Sequence, residues 1–215
     1  MNAADNSSLI SNLGSRARIC PIGKLYNELF FTRAKINKID YSQKTFCYFC
    51  SKISIIMEEK IIKTVVTICQ PDELPEEERQ LLRLAVEATS RSYAPYSHFN
   101  VGAAVLLLNG KTVVGCNQEN AAFGVSLCAE RTALFASGAE YPDVPVVAIA
   151  IAARGTDGEL LEEPVTPCGS CRQAMIETEL RGKRPLRILL FGTRHVYVLN
   201  GIASLMPLSF SADQL

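Results

Sequence analysis

Two cysteines three residues apart, in Pro167-Cys168-Gly169-Ser170-Cys171, can bring both sulfurs to one tetrahedral metal ion. The same spacing also reads as a reducible disulfide or as two packed thiols. About 40 residues upstream, Cys128-Ala129-Glu130 adds a third thiol, with a carboxylate two positions after it. Three thiols leave one tetrahedral position open. A structural zinc normally has four protein ligands, whereas a catalytic zinc keeps a position for water and needs a base nearby. Glu130 is the natural base. A rival reading is a zinc-stabilised module in which Cys128, Cys168 and Cys171 only staple helices to a sheet. Glu130 argues against it, because a structural site needs no base beside an open position.

Both motifs fall at predicted helix starts, at residues 128–136 and 169–180. Backbone N–H groups and the positive end of the helix dipole favour the thiolates that a metal requires. The acidic string Glu76, Glu77, Glu78 and the apolar Leu81, Leu82, Leu84, Ala85 and Ala88 predict an earlier amphipathic helix reaching about residue 91. Residues 101–108 and 111–115, joined by Asn109-Gly110, read as a hairpin, since Asn-Gly adopts the positive φ angles of tight turns. Buried strands are expected at 146–153 and 186–191, a short edge strand at 197–199 and a brief terminal helix at 202–206. Strands alternating with helices imply an α/β layered sheet.

The 215 residues carry 22 basic and 22 acidic side chains, so no long-range attraction to nucleic acid is expected. No apolar run approaches the roughly 20 residues of a membrane span, and the start lacks a secretory pattern. These features predict a cytoplasmic protein. The eight cysteines should then remain thiols, and short-spaced pairs are tested first as metal ligands. Residues 1–56 are locally basic: Arg16, Arg18, Lys24, Arg33, Lys35, Lys38, Lys44 and Lys52 face only Asp5, Glu28 and Asp40. We expect a poorly ordered N-terminal extension there and a catalytic domain over 57–215. Cys47-Tyr-Phe-Cys50 has ligand spacing but no second pair nearby, and reads as incidental. Cys69 and Cys116 read as small buried hydrophobes. With three cysteines and a water filling the metal site, His98 and His195 read as structural or exposed.

Further motifs occur in order: Tyr93-Ala-Pro-Tyr-Ser-His-Phe99, Val101-Gly-Ala-Ala104, Asn117-Gln-Glu-Asn120, Cys128-Ala-Glu-Arg131, Pro167-Cys-Gly-Ser-Cys-Arg-Gln173 and Leu205-Met-Pro-Leu-Ser-Phe210. Over residues 74–210 the chain resembles the small, homotetrameric type of cytidine deaminase. The resemblance implies a three-layer α/β/α sandwich with a mixed central sheet of about five strands. It implies hydrolytic deamination of cytidine and deoxycytidine, with one Zn2+ per subunit held by Cys128, Cys168 and Cys171. Glu130 would shuttle protons between water, ring N3 and the leaving amine. Arg131 would contact the cysteine sulfurs and balance the charge of three thiolates.

By the same resemblance, Asn117 and Glu119 hold the ribose, Phe99 lies against the pyrimidine, and Ala129 offers backbone atoms to its edge. Phe210 would reach a neighbouring subunit's active site. The implied partners are a small nucleoside and further copies of the chain in a homotetramer, with no nucleic acid and no membrane. Related deaminases of the blasticidin, nucleotide or polynucleotide type share the fold, and Asn117-Gln-Glu-Asn120 favours a free nucleoside sugar over these. Phe123 stands where many relatives carry tyrosine, so a hydroxyl contact across subunits is expected to be missing.

Overall fold

Alternation along the strands decides which side chains meet which helix. In the computed structural model, which describes residues 58–215, three α-helices cover the two faces of a six-stranded sheet. The basic extension, Cys20 and the pair Cys47 and Cys50 lie outside the described residues. The strands are β1 (Thr67–Cys69), β2 (Asn100–Leu107), β3 (Thr112–Cys116), β4 (Val146–Arg154), β5 (Arg187–Phe191) and β6 (Val196–Asn200). The helices are α1 (Glu76–Ala88), α2 (Ala129–Glu140) and α3 (Gly169–Gly182). The sheet order is β1-β6-β5-β4-β2-β3, with β4 and β5 parallel and the other pairs antiparallel.

Ala103, Val105 and Leu107 of β2, Ile149 and Ile151 of β4, and Ile188 and Leu190 of β5 face one side. There they pack with Ala129, Ala133 and Leu134 of α2 and with Met175 and Ile176 of α3. The intervening Ala104, Leu106, Ala148, Ala150, Ala152 and Leu189 face the other side, against Leu81, Leu82 and Ala85 of α1. The period of two therefore sorts one apolar set into two cores. The α1 side of β4 is built of alanines, and the α1 backbone comes close: a Cβ on Gly102 would collide with Ala85 O and Thr89 N.

The hairpin turns at Asn109-Gly110 as expected, with Gly110 at φ 79° and its N–H donating to Leu107 O at 2.9 Å. Three elements differ from the sequence expectation. The strand around Tyr197 is not at an edge, because β1 adds outside it through Thr67↔Val198 and Cys69↔Val196. Helix α2 runs past residue 136 to Glu140, passing Ser137 and Gly138. Residues 202–206 form only a single 3-10 turn, Ile202–Ser204.

Beyond β3, Gln118 bridges Tyr93 on one side and Leu127 on the other. This small ladder aligns the loop before β2, the segment after β3 and the approach to α2. The antiparallel register Asn100↔Arg154 puts the start of β2 at the same end of the sheet as the finish of β4, from which the chain continues to α3. The chemistry predicted from sequence gathers at that end.

Candidate active site and metal centre

Cys128 and Cys168 are the N-cap residues of α2 and α3, both in extended backbone, and Cys171 lies in the first turn of α3. Neither N-cap side chain caps its own helix. Their sulfurs face one another instead, at 3.8 Å, and Cys168 Sγ lies 3.4 Å from Cys171 Sγ. All three sulfurs fall within 4.8 Å of one another, and among the described residues they form a metal-competent group without a fourth protein ligand. A disulfide needs an S–S distance of about 2.05 Å, so these are three free thiols. A tetrahedral zinc with Zn–S bonds of about 2.3 Å sets its sulfurs roughly 3.8 Å apart. The donor set fits zinc.

Burial is graded across the cluster: Cys171 is fully buried, Cys128 half-buried and Cys168 exposed. Hydrogen bonding within the cluster, more than burial, sets the proton affinities of Cys128 and Cys171. Cys128 is pulled down to about 5, first by its hydrogen bond with Cys171, with Arg131 and Cys168 adding to the effect against burial. Cys171 is pushed up by the same bond with Cys128, and then by burial and by the negative charge of Glu130. Of these two thiols, Cys128 gives up its proton first. Arg131 Nη2 donates to Cys128 Sγ at 3.8 Å and to Ser126 O at 3.4 Å, and its interactions with Cys128 hold its own proton more firmly.

Glu130 is only 5% exposed. Burial raises its pKa first, and the charge of Cys128 adds to that. A carboxyl raised above its ordinary range holds a proton more firmly than a free carboxylate does, which suits it to proton transfer. Its place is fixed by α2, which lies against β3: a Cβ on Gly115 would collide with Ala133 N and Ala129 O. Ala129, at the first position of α2, is fully buried.

Asn117 and Glu119 lie just past β3, on the extended segment of the small ladder. Asn117 Nδ2 donates to Phe99 O at 2.9 Å, and Asn117 Oδ1 accepts from Val101 N at 2.7 Å. Glu119 Oε2 accepts from Tyr96 N at 2.9 Å and Ser97 N at 3.2 Å. The two side chains share one side, as strand alternation predicts, and that side faces the loop carrying half-buried Phe99. Phe210 is exposed, and its backbone oxygen accepts from Gln173 Nε2 at 3.0 Å.

Two residues given no role in the sequence reading join the site to the rest of the fold. Arg172 donates to Pro167 O and to Leu205 O, both at 2.8 Å, tying the turn before Cys168 to the C-terminal segment. Gln173 holds Phe210. Their position immediately after Cys171 was the available signal. His195 stacks on Tyr197 at 5.1 Å and lies 3.1 Å from Glu163, while His98 is an exposed loop residue at φ 56°. Neither belongs to the metal-competent group.

A mixed sheet between helical layers, with a three-thiolate zinc site at two helix N-termini and a buried carboxylate beside it, defines the class of zinc-dependent deaminases. Residues 75–183 match the cytidine and deoxycytidylate deaminase zinc-binding region, and the chain belongs to that family. It is 46% identical to the cytidine deaminase of Halalkalibacterium halodurans over 99 residues, covering 46% of this chain and 70% of that protein. It is 36% identical to the cytidine deaminase of Sporosarcina psychrophila over 140 residues, covering 63% of this chain and 93% of that protein. The crystal structure of cytidine deaminase from Burkholderia pseudomallei superposes with a TM-score of 0.53 at 40% identity, over 61% of this chain and 97% of that one. Cys128, Cys168 and Cys171 bind the family's zinc. No helix among the described residues is long and apolar enough to cross a membrane.

Proposed function

We infer that this enzyme deaminates cytidine and deoxycytidine hydrolytically, consuming water and releasing ammonia and the corresponding uridine, as a step of pyrimidine salvage. The observation that carries the reading is a buried carboxyl, Glu130, two residues from one of three converging thiols in a family of zinc deaminases. When bound, zinc supplies Lewis acidity that brings the pKa of water toward neutrality. Glu130 takes a proton from the attacking water and delivers it to N3 of the pyrimidine. It then passes the second proton to the exocyclic amine, so that ammonia leaves from C4. Burial suits it to both directions, because a carboxyl with a raised pKa holds a proton without losing the ability to return it.

Arg131 offsets the charge of the thiolates through its Nη2 donation to Cys128. Phe99 packs on the pyrimidine face, and backbone atoms of Ala129 meet the pyrimidine edge. Asn117 and Glu119 hold the sugar hydroxyls with the hydrogen-bonding capacity left over from their backbone contacts. The catalytic domain spans residues 57–215, follows a basic N-terminal extension and works in the cytoplasm as a homotetramer. Exposed Phe123, Val125, Phe135, Leu208 and Phe210 supply apolar surface for such an assembly, with Phe210 reaching a neighbouring site.

The loss of cytidine ultraviolet absorbance on adding the zinc-loaded chain tests the reading, with chelator-treated protein and Glu130→Gln as controls. Conversion that depends on zinc and fails in Glu130→Gln is expected. A folded, zinc-containing assembly that leaves cytidine and deoxycytidine unchanged refutes it. Light scattering of the same sample reports the oligomeric state, and a monomer at working concentration refutes the tetramer.

A further inference from the structure

The sugar-binding assignment does not account for how Asn117 and Glu119 are already used. Four backbone groups of the loop and the start of β2 end on these two side chains: Phe99 O and Val101 N on Asn117, Tyr96 N and Ser97 N on Glu119. The loop's C-terminal end is also held by the sheet, where Asn117 N donates to Val101 O and residues 100 and 101 pair with β4, and the Tyr96 ring meets Phe123 edge-on at 5.9 Å. Between these points its backbone bonds are local. His98 donates its N–H to Ala94 O, and Phe99 N donates to Ser97 Oγ, so both bonds stay inside the loop. His98 sits at φ 56°, in the left-handed region that few non-glycine residues occupy. Asn117 grips the chain on both sides of residue 100, and Glu119 grips it just before His98.

We propose that Asn117 and Glu119 are positioning residues for the base as well as sugar ligands: together they clamp the 94–101 loop and so set where Phe99 presents its ring. The proposal rests on the deaminase reading above. It separates from a sugar-only role because a clamp acts whether or not the substrate carries sugar hydroxyls. An amide has two N–H donors and an oxygen with two lone pairs, so Asn117 can keep its loop contacts and still offer one donor and one acceptor to a hydroxyl.

The test uses the full zinc-loaded chain, Asn117→Ala and Glu119→Ala, with cytidine and 2′,3′-dideoxycytidine as substrates. The second lacks both hydroxyls that a sugar-only pair would bind. The clamp predicts that each variant loses kcat/KM on dideoxycytidine by about tenfold, and on cytidine by at least that factor, because there the sugar contacts are lost as well. A sugar-only role predicts loss on cytidine with dideoxycytidine turnover untouched, and that result overturns the proposal. Amide hydrogen exchange reads the clamp without substrate. Val101 should exchange faster in Asn117→Ala, and Tyr96 and Ser97 faster in Glu119→Ala, while amides of β4 and β5 keep their protection. Unchanged exchange at those positions also overturns the proposal. A wild-type chain inactive on cytidine refutes the deaminase reading alone, since the exchange measurement still decides the clamp.

Discussion

Replacing Gly115 by alanine tests whether the sheet holds in place Glu130, the carboxyl proposed to transfer protons. The added methyl would lie 2.6 Å from Ala129 O and 3.0 Å from Ala133 Cα, and would also collide with Ala133 N. Non-bonded heavy atoms of this kind rest at about 3.5 Å, so one segment must yield by roughly 1 Å. All the opposing atoms are backbone, and no rotamer change relieves them. Overpacking of this order costs about 1–3 kcal/mol, which for a domain of this size lowers Tm by roughly 2–12 °C.

Helix α2 carries Glu130, while Cys168 and Cys171 sit on α3, so a shift of α2 changes the distance between base and metal site. A misplacement of about 1 Å at a reacting centre costs on the order of a hundredfold in rate. Gly115→Ala should therefore show a lower Tm by scanning fluorimetry and a kcat for cytidine reduced by one to two orders of magnitude, about 10- to 100-fold. Gly182→Ala is the control, because its added methyl would meet Pro145 and Arg184 only at ordinary contact distances of 3.4 Å and more. An unchanged Tm in Gly115→Ala refutes the close approach. A lowered Tm with full kcat refutes the link to Glu130 and assigns the movement to β3, which lies at the sheet edge.

Arg131→Ala should weaken zinc binding by about 10- to 100-fold in competition with a chromophoric chelator, the usual effect of losing a group that supports metal ligands; equal affinity would return Arg131 to a surface role. The Glu119 carboxyl lies below the 4.5 of a free group, first because of the Ser97 side chain and then the N–H of Tyr96. A depressed folded value means that its hold on the loop is complete above the free-carboxyl pKa and is lost as pH falls through the folded one. Ser97→Ala should raise the Glu119 midpoint in a carboxylate NMR titration, and an unmoved midpoint contradicts this. Glu179 Oε1 accepts from Leu186 N and Ile202 N, both at 2.7 Å. Glu179→Ala strands both donors and should cost about 2 kcal/mol in urea unfolding, with kcat unchanged because the residue is two turns along α3 from Cys171.

The zinc site was legible in the sequence because ligand spacing is a local property. Cys168 and Cys171 share the first turn of α3, and Cys128 and Glu130 share the start of α2, so chemistry and geometry are written in adjacent letters. The hairpin was legible for the same reason at Asn109-Gly110. Position in the sheet was not. β1 has three residues with exposed or half-exposed side chains, so it carries no burial pattern, and without it β6 looks like an edge. The end of α2 was hidden by Gly138, a residue that commonly stops helices but here passes beneath Arg181, whose Nη1 comes within 3.3 Å of a Cβ built on that glycine. The backbone contacts of Asn117 and Glu119 depend on a loop whose path no periodicity encodes.

The pairing of β1 with β6 joins the first strand of the domain to the last. On the ribosome, β1 emerges early and waits on the order of ten seconds for its partner at roughly 5–20 residues per second. Cys128, Cys168 and Cys171 all precede β5 and β6, so the nascent chain carries every metal ligand before the sheet that fixes their spacing exists. In that interval the thiols are open to oxidants and to thiophilic ions. Completion of the final strand is thus also the moment at which a reactive stretch of peptide becomes a selective metal site.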